Sequence, residues 1–81
     1  MILYHCTTPK KLDRYKKTGC ILSPVRGWKY INSAKNWCKK TGRSIILKIE
    51  TGTAYPLPDH QPRGHAFWID DNIRNYKVIN I

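Results

Sequence analysis

Acidic residues are scarce in this chain of 81 residues. Five Asp and Glu stand against fifteen Lys and Arg, which gives a formal net charge of +10. Positive charge at this density attracts polyanions, so the expected partners are RNA, DNA, nucleotides or acidic protein surfaces. A basic surface that is merely solvated is the alternative that composition leaves open.

Closely spaced cysteine pairs and long apolar runs are also missing. Cys6, Cys20 and Cys38 are an odd number at wide spacing, which argues against a disulfide framework or a zinc knuckle and favours reduced thiols. The apolar start over residues 1–4 ends at His5, too early for a signal peptide or a membrane span. We therefore expect a cytoplasmic protein that has no metal site and no membrane partner.

The length and the order of apolar segments predict one small α+β domain over residues 1–81. A chain this short has room for a single core. Apolar runs and turn residues alternate in the order β-α-β-α-β-loop-β-β. This order predicts two helices packed on a mostly antiparallel sheet, and an oligomeric state does not follow from it.

Two helices have clear boundary signals. The first is expected to begin with Thr8 as N-cap and Pro9 at the first helical position, and to end at Gly19. The second is expected to begin at Asn32 or Ser33 and to end at Gly42. The apolar spacing then gives the residues expected to face the core: Leu12 and Tyr15 in the first helix, and Ala34, Trp37, Cys38 and Thr41 in the second.

The remaining segments are predicted as strands, turns and one long loop. Strands are expected over residues 2–6, 44–50, 65–69 and 76–81, with 44–50 inside the sheet. Residues 20–23 can form at most an edge strand, because Pro24 cuts the run, and residues 24–28 look like a turn. Residues 54–64 hold three prolines and predict an irregular loop of the length common in binding segments.

A few polar residues stand where a plainer residue would fold equally well, and they are candidates for one groove. They are His5, Arg26, Asp59, His60, Arg63 and His65. Each histidine taken alone is more often a hydrogen-bonded structural residue. Together, two histidines and an arginine could cleave RNA by general acid and base catalysis. In that alternative of a basic RNA- or DNA-binding protein or toxin-like endoribonuclease, the backbone is bound by Lys10, Lys11, Arg14 and Lys17.

Three segments resemble the motifs of the ADP-ribosyltransferase superfamily, which includes small divergent bacterial and phage members and the related RNA 2′-phosphotransferases. Residues 3–7 resemble the first motif, a strand with a histidine and a following Thr. Residues 27–34 are similar to the second motif, an aromatic stretch that enters a helix. Residues 65–69 with 76–79 look like the closing strands, although the Glu usual in the third motif is absent here.

The resemblance implies a domain that binds NAD or a related nucleotide and could transfer ADP-ribose to a protein or nucleic-acid acceptor. It implies that His5 and Thr7 contact the ribose, that Tyr30 stacks on nicotinamide, and that His65 lies nearest the third-motif position. Arg26 is expected to balance the diphosphate charge, with Asp59 and His60 close by. A third hypothesis is a phage-encoded inhibitor whose charge covers the surface of a host defence protein.

Overall fold

The computed structural model describes residues 1–57 and 66–79. These residues form a small α+β domain, which confirms the predicted fold class. The elements in chain order are β1 (Ile2–Thr7), α1 (Pro9–Thr18), β2 (Val25–Trp28), α2 (Ile31–Thr41), β3 (Ile45–Glu50), β4 (Tyr55–Pro56), β5 (Ala66–Ile69) and β6 (Tyr76–Ile79).

The strands form one sheet in the order β4-β5-β2-β1-β3-β6. Each of the pairings between these strands is antiparallel. β1 pairs with β3 along its full length, from Ile2 opposite Glu50 to Thr7 opposite Ile45. In contrast, the register between β1 and β2 consists of the pair Tyr4 and Trp28. The centre of the sheet is therefore tightly joined on one side of β1 and loosely joined on the other.

The two helices cover opposite faces of the sheet. This follows from the residues of β1 that each helix packs against, since successive side chains of a strand point to opposite sides. Leu12 and Tyr15 of α1 pack in the cluster that contains Leu3. Ala34 and Cys38 of α2 belong to a second cluster that includes Cys6, Trp28 and Ile46. Thus the odd-numbered residues of β1, among them His5, lie on the α1 side of the sheet, and its even-numbered residues lie on the α2 side.

The predicted boundaries of α1 are confirmed. The Thr8 side chain accepts a hydrogen bond from the Lys11 N–H at 3.2 Å, and Pro9 is the first helical residue. Gly19 has a φ of 80°, and its N–H donates to the Tyr15 carbonyl. A residue with a Cβ would be strained in this left-handed conformation, which explains why the helix ends at a glycine.

The predicted start of α2 is wrong. The helix begins at Ile31, its N-cap is Tyr30, and no side chain caps it. Neither Asn32 nor Ser33 is therefore the cap, and the chain enters the helix from an extended residue two positions after the end of β2. Thr41 is exposed instead of facing the core, and its hydroxyl donates to the Trp37 carbonyl at 2.8 Å. The end at Gly42, with a φ of 71°, is confirmed.

The prediction of a turn over residues 24–28 is also wrong, whereas residues 20–23, expected to form at most an edge strand, contain a single bridge residue. β2 occupies Val25–Trp28 and is an interior strand between β5 and β1. Ile21 makes an isolated bridge with Ile73. Gly27 lies within β2, where close packing and not a turn explains the glycine. A Cβ at this position would lie 2.8 Å from the Leu3 Cβ.

The later described strands agree with the sequence, with one exception. β3, β5 and β6 lie in the predicted segments, and β3 is interior, between β1 and β6. The short strand β4 was not expected within the long loop. The rest of that loop, residues 58–65, and the end of the last predicted strand, residues 80–81, lie outside the described residues. Neither described helix has the length and apolar character needed to span a membrane.

Candidate functional site

A cleft of about 280 Å³ opens beside the point where β1 and β2 stop pairing. We call it the His5 cleft, and its lining includes His5, Lys11, Tyr15, Arg26, Trp28, Trp37, Arg43, Leu57 and Ala66. The strand register explains the position of the cleft. The pairing of β1 with β2 ends at Tyr4 and Trp28, whereas β1 continues toward α1 and leaves a gap between the two strands. Residues from both sides of the sheet can reach the gap.

His5 is held in this cleft by both of its ring nitrogens. Nδ1 lies 2.6 Å from the Arg26 carbonyl oxygen, and Nε2 lies 3.4 Å from the Tyr15 hydroxyl. A carbonyl oxygen can only accept, so Nδ1–H is the donor. In the neutral imidazole Nε2 is then an acceptor, and the Tyr15 hydroxyl is its donor. The cleft thus fixes both the orientation of the ring and its tautomer.

Thr7 supports His5 from the interior through Tyr15. Its side chain is fully buried, and its hydroxyl donates to the Tyr15 oxygen at 3.4 Å. A directed series of hydrogen bonds therefore runs from Thr7 through Tyr15 to His5 and ends at Arg26. The sequence had placed Tyr15 only on the inner face of a helix. The signal that could have identified it is the hydroxyl, because a tyrosine facing a core usually needs a polar partner.

The pKa of His5 is lowered below its ordinary value of 6.5. Loss of water around the ring is the main cause, and the cations Arg43 and Lys11 act in the same direction. The hydrogen bond to the Arg26 carbonyl raises the pKa, but its effect is smaller. His5 is therefore neutral at physiological pH, which agrees with the tautomer given by its contacts.

Positive charge dominates the His5 cleft. Lys11 comes from α1, Arg26 from β2, and Arg43 from the segment after α2. The Arg43 Nη1 donates to the Cys6 carbonyl at 3.3 Å, which ties its guanidinium to β1. No Asp or Glu is among the described residues that line the cleft. Arg43 was not singled out from the sequence, because only the fold brings it next to His5.

Aromatic rings form one wall of the cleft, but Tyr30 does not belong to it. The ring centroids of Trp28 and Trp37 are 5.7 Å apart. Tyr30 is 49% exposed and lies outside the lining of the cleft, and the Lys29 ammonium is 5.6 Å from its ring. The structure therefore brings His5 and Arg26 together but leaves Tyr30 on the outer surface.

The other predicted site residues lie apart from His5 or outside the described residues. Asp59, His60, Arg63 and His65 belong to the second group. The residues that flank this segment, Leu57 and Ala66, line the cleft, and the Leu57 N–H donates to the Ala66 carbonyl at 2.9 Å. Of the four cations predicted on the first helix, Lys11 lines the cleft, while Lys10, Arg14 and Lys17 are exposed elsewhere on α1.

The cysteines are buried free thiols. Cys6 on β1 contacts Cys38 on α2, and its Sγ donates to the Ala34 carbonyl at 3.1 Å. Burial and the neighbouring thiol raise the pKa of Cys6 to about 12, so this cysteine is a poor nucleophile. Among residues 1–57 and 66–79, no group of three His, Cys, Asp or Glu side chains is placed to hold a metal ion.

Comparison of the chain with protein-family models, with curated proteins and with solved structures gives no match. The chemistry of the cleft must therefore be judged from its own residues. Three cationic residues in its lining, Lys11, Arg26 and Arg43, suit a phosphate-bearing ligand. The oriented, uncharged imidazole can accept a hydrogen bond from a hydroxyl group of such a ligand.

Proposed function

We propose that the His5 cleft binds a nucleotide through its phosphates, and that NAD is this nucleotide. The observation that carries the proposal is that Lys11 and Arg43 act as cations on a neutral, oriented His5, with Arg26 also in a lining whose described part has no carboxylate. Such a site attracts phosphate groups, and its described lining holds no negative charge that would repel them. The motif resemblance favours NAD among the nucleotides.

The size of the cleft suggests that it holds one half of a dinucleotide. Its volume of about 280 Å³ is close to the lower end of the range for small-molecule sites, roughly 300–1,000 Å³. We place a ribose and its base or nicotinamide ring against Trp37, a role first expected of Tyr30. The diphosphate would then extend toward Arg26, whose side chain is exposed.

Each residue of the cleft has a distinct role in this proposal. His5 Nε2 accepts a hydrogen bond from a ribose hydroxyl, which replaces the long 3.4 Å contact with Tyr15. Lys11, Arg26 and Arg43 neutralise the phosphates. Thr7 is too deeply buried to touch the ligand, so it acts as a positioning residue through Tyr15.

Transfer of ADP-ribose to a protein or nucleic-acid acceptor is the activity that we propose beyond binding. The described lining supplies no carboxylate to stabilise positive charge that develops on the ribose as nicotinamide leaves. Asp59 is the remaining candidate for this role, and His65 could act as a base toward the acceptor; both lie outside the described residues. Release of nicotinamide from NAD by the protein, and its loss in Asp59→Asn or His65→Ala, tests this step separately from binding.

The binding proposal is tested by an amide NMR titration of the labelled protein with NAD at moderate salt. We expect saturable shifts at residues 4–7, 11, 26–28 and 43. Lys11→Ala should weaken binding about tenfold or more, in the range for loss of one charge-assisted hydrogen bond. Lys10→Ala is the matched control, since Lys10 is the neighbouring exposed lysine on α1 and does not line the cleft. Equal losses in the two variants would contradict the proposal.

Short RNA in the same titration tests the nucleic-acid alternative. Salt-sensitive shifts along residues 10–17, with none from NAD, would favour RNA binding through α1. The endoribonuclease form of this alternative also requires His5 to exchange protons, and its lowered pKa keeps it available as a base. Cleavage of RNA that is lost in His5→Ala would support that form.

A further inference from the structure

The wall of the His5 cleft continues onto the adjoining part of the sheet. One row of cleft residues crosses β2, β5 and the position after β4, and it consists of Trp28, Ala66 and Leu57. Side chains two residues apart on a strand point to the same face and lie roughly 7 Å apart. The strand register therefore gives the next row on this face, which consists of Arg26, Trp68 and Tyr55.

The helix on this face covers the first row more fully than the second. Trp37 of α2 packs beside Trp28 in the first row. The strands on which α2 packs are β1, β2 and β3, and β5 and β4 lie beyond them in the sheet. In the second row Arg26 and Tyr55 are exposed, and Trp68 is partly exposed. The second row therefore presents two aromatic rings and an arginine to solvent beside the cleft.

Tyr55 and Trp68 form a cross-strand pair that we call the aromatic platform. Their ring centroids are 4.8 Å apart, and the ring planes are inclined by 31°. Tyr55 lies on the β4 side of Trp68, and Arg26 lies opposite Trp68 on its β2 side. The pair joins the two-residue strand β4 to β5, which is a structural role. Because Tyr55 is 46% exposed, the platform also keeps open aromatic surface for a planar ring.

Arg26 links the aromatic platform to the His5 cleft, because it lines the cleft and lies opposite Trp68 in the sheet. The cleft has the size for one half of a dinucleotide, whose diphosphate extends toward Arg26 in the proposed function. The other half then continues to the next residue of the row, which is Trp68. Nucleobases stack on aromatic rings and on guanidinium groups. Asp70, which follows β5, lies at the end of this strand away from the cleft and so away from the phosphates.

We propose that the aromatic platform binds the adenine ring of the dinucleotide whose other half occupies the His5 cleft. This inference rests on the proposed function, since it takes NAD as the ligand. In the complex the adenine stacks on Trp68, and Arg26 contacts the diphosphate that joins the two halves. Tyr55 acts as a positioning residue, because its ring holds the indole from the β4 side.

Three ligands distinguish the platform from the cleft. NAD contains both halves of the dinucleotide, ADP-ribose keeps the adenosine but lacks nicotinamide, and nicotinamide mononucleotide lacks the adenosine. In NMR titrations of the wild type, the indole N–H signal of Trp68 should shift with NAD and ADP-ribose and stay in place with nicotinamide mononucleotide. This measurement needs no variant, so it does not depend on how well a substitution is tolerated.

Affinities of the variants are measured by calorimetric titration. Trp68→Leu should weaken binding of NAD and ADP-ribose about tenfold, in the range for loss of one base stacked on an aromatic ring, and should change binding of nicotinamide mononucleotide less than about twofold. Trp68→Phe keeps a ring for stacking, so its loss should be smaller. The affinity for nicotinamide mononucleotide also checks that the cleft of each variant is folded.

Tyr55→Leu and Tyr30→Leu are a matched pair of variants. Both tyrosines are about half exposed, at 46% and 49%, and Tyr30 belongs to neither the platform nor the lining of the cleft. Tyr55→Leu should weaken NAD binding about threefold, because the indole loses its support, and Tyr30→Leu should leave it unchanged.

The outcomes separate failure of the platform from failure of the cleft. If the wild type binds neither NAD nor nicotinamide mononucleotide, the proposed function fails and the platform inference fails with it. If both ligands bind but ADP-ribose leaves the Trp68 signal in place, the cleft remains a nucleotide site and the platform is rejected. A short single-stranded RNA that binds more weakly to Trp68→Leu, while NAD does not, would assign the platform to nucleic acid and overturn the proposal.

Discussion

The Nδ1 of His5 lies 2.6 Å from the carbonyl oxygen of Arg26 and joins β1 to β2 beyond their last register pair. A side chain thus continues the contact between two strands where the backbone ladder has ended. Because burial and two nearby cations oppose a charge on this ring, the neutral form is favoured. The first prediction is that the imidazole of His5 titrates below pH 6.5 in the folded protein.

NMR titration of the His5 ring protons measures this pKa. Arg43→Gln removes a nearby positive charge and should raise the pKa toward 6.5, whereas Arg14→Gln on the outside of α1 should leave it unchanged. Between the lowered pKa of the folded protein and 6.5, the unfolded chain binds a proton at His5 that the folded chain does not, so the contribution of His5 to the free energy of unfolding falls as the pH falls through this range. A value above 6.5 would contradict the arrangement of charges described here.

Gly27→Ala should destabilise the protein by about 1–3 kcal/mol. Its Cβ would lie 2.8 Å from the Leu3 Cβ, an atom fixed by the backbone of β1, so relief requires β1 and β2 to move apart. Gly52→Ala is the control, because nothing lies within 4 Å of a Cβ at that position. Urea unfolding of both variants measures the difference, and equal stabilities would show that β2 does not pack against Leu3 as described.

Tyr15→Phe separates the hydroxyl of Tyr15 from its packing. The ring still fills its place in the α1 cluster, but the buried Thr7 hydroxyl and His5 Nε2 both lose a partner. We expect a loss of stability of about 1–2 kcal/mol, in the range for an unsatisfied buried polar group. NAD affinity should not fall, because in the proposed complex a ribose hydroxyl takes the place of the Tyr15 hydroxyl at His5 Nε2 and the Arg26 carbonyl still holds Nδ1. Tyr76→Phe, in the same cluster, is the control.

Much of the fold could be predicted because local patterns agreed with the tertiary structure. The Thr8-Pro9 start and Gly19 end of α1 depend on backbone chemistry within the helix itself. β2 could not be predicted in the same way, since Pro24 and Gly27 look like turn residues when read locally. Only the neighbouring Leu3 shows why a glycine is needed inside a strand.

The site was predictable in part for a similar reason. His5 and Arg26 stood out as polar residues in strand and turn contexts, and the fold does bring them together. Arg43 and Tyr15 did not stand out, because a cation after a helix and a tyrosine on its inner face are ordinary. Their place beside His5 depends on strand pairing and on the direction of α1, which no local pattern contains.

The thiol of Cys6 should be inert in the folded protein despite its place on the strand that carries His5. With a pKa of about 12, roughly one molecule in ten thousand is ionised at about pH 8, and alkylation requires the thiolate. We expect iodoacetamide to leave Cys6 unmodified over hours in buffer and to modify it within minutes in concentrated guanidinium, as followed by peptide mass spectrometry. Cys38→Ala removes the neighbouring thiol that raises this pKa, so it should increase the native rate, whereas Cys20→Ala should not. Rapid modification of Cys6 in the folded wild type would show that β1 and α2 separate readily, and the packing of α2 against Cys6 would then be far weaker than its burial indicates.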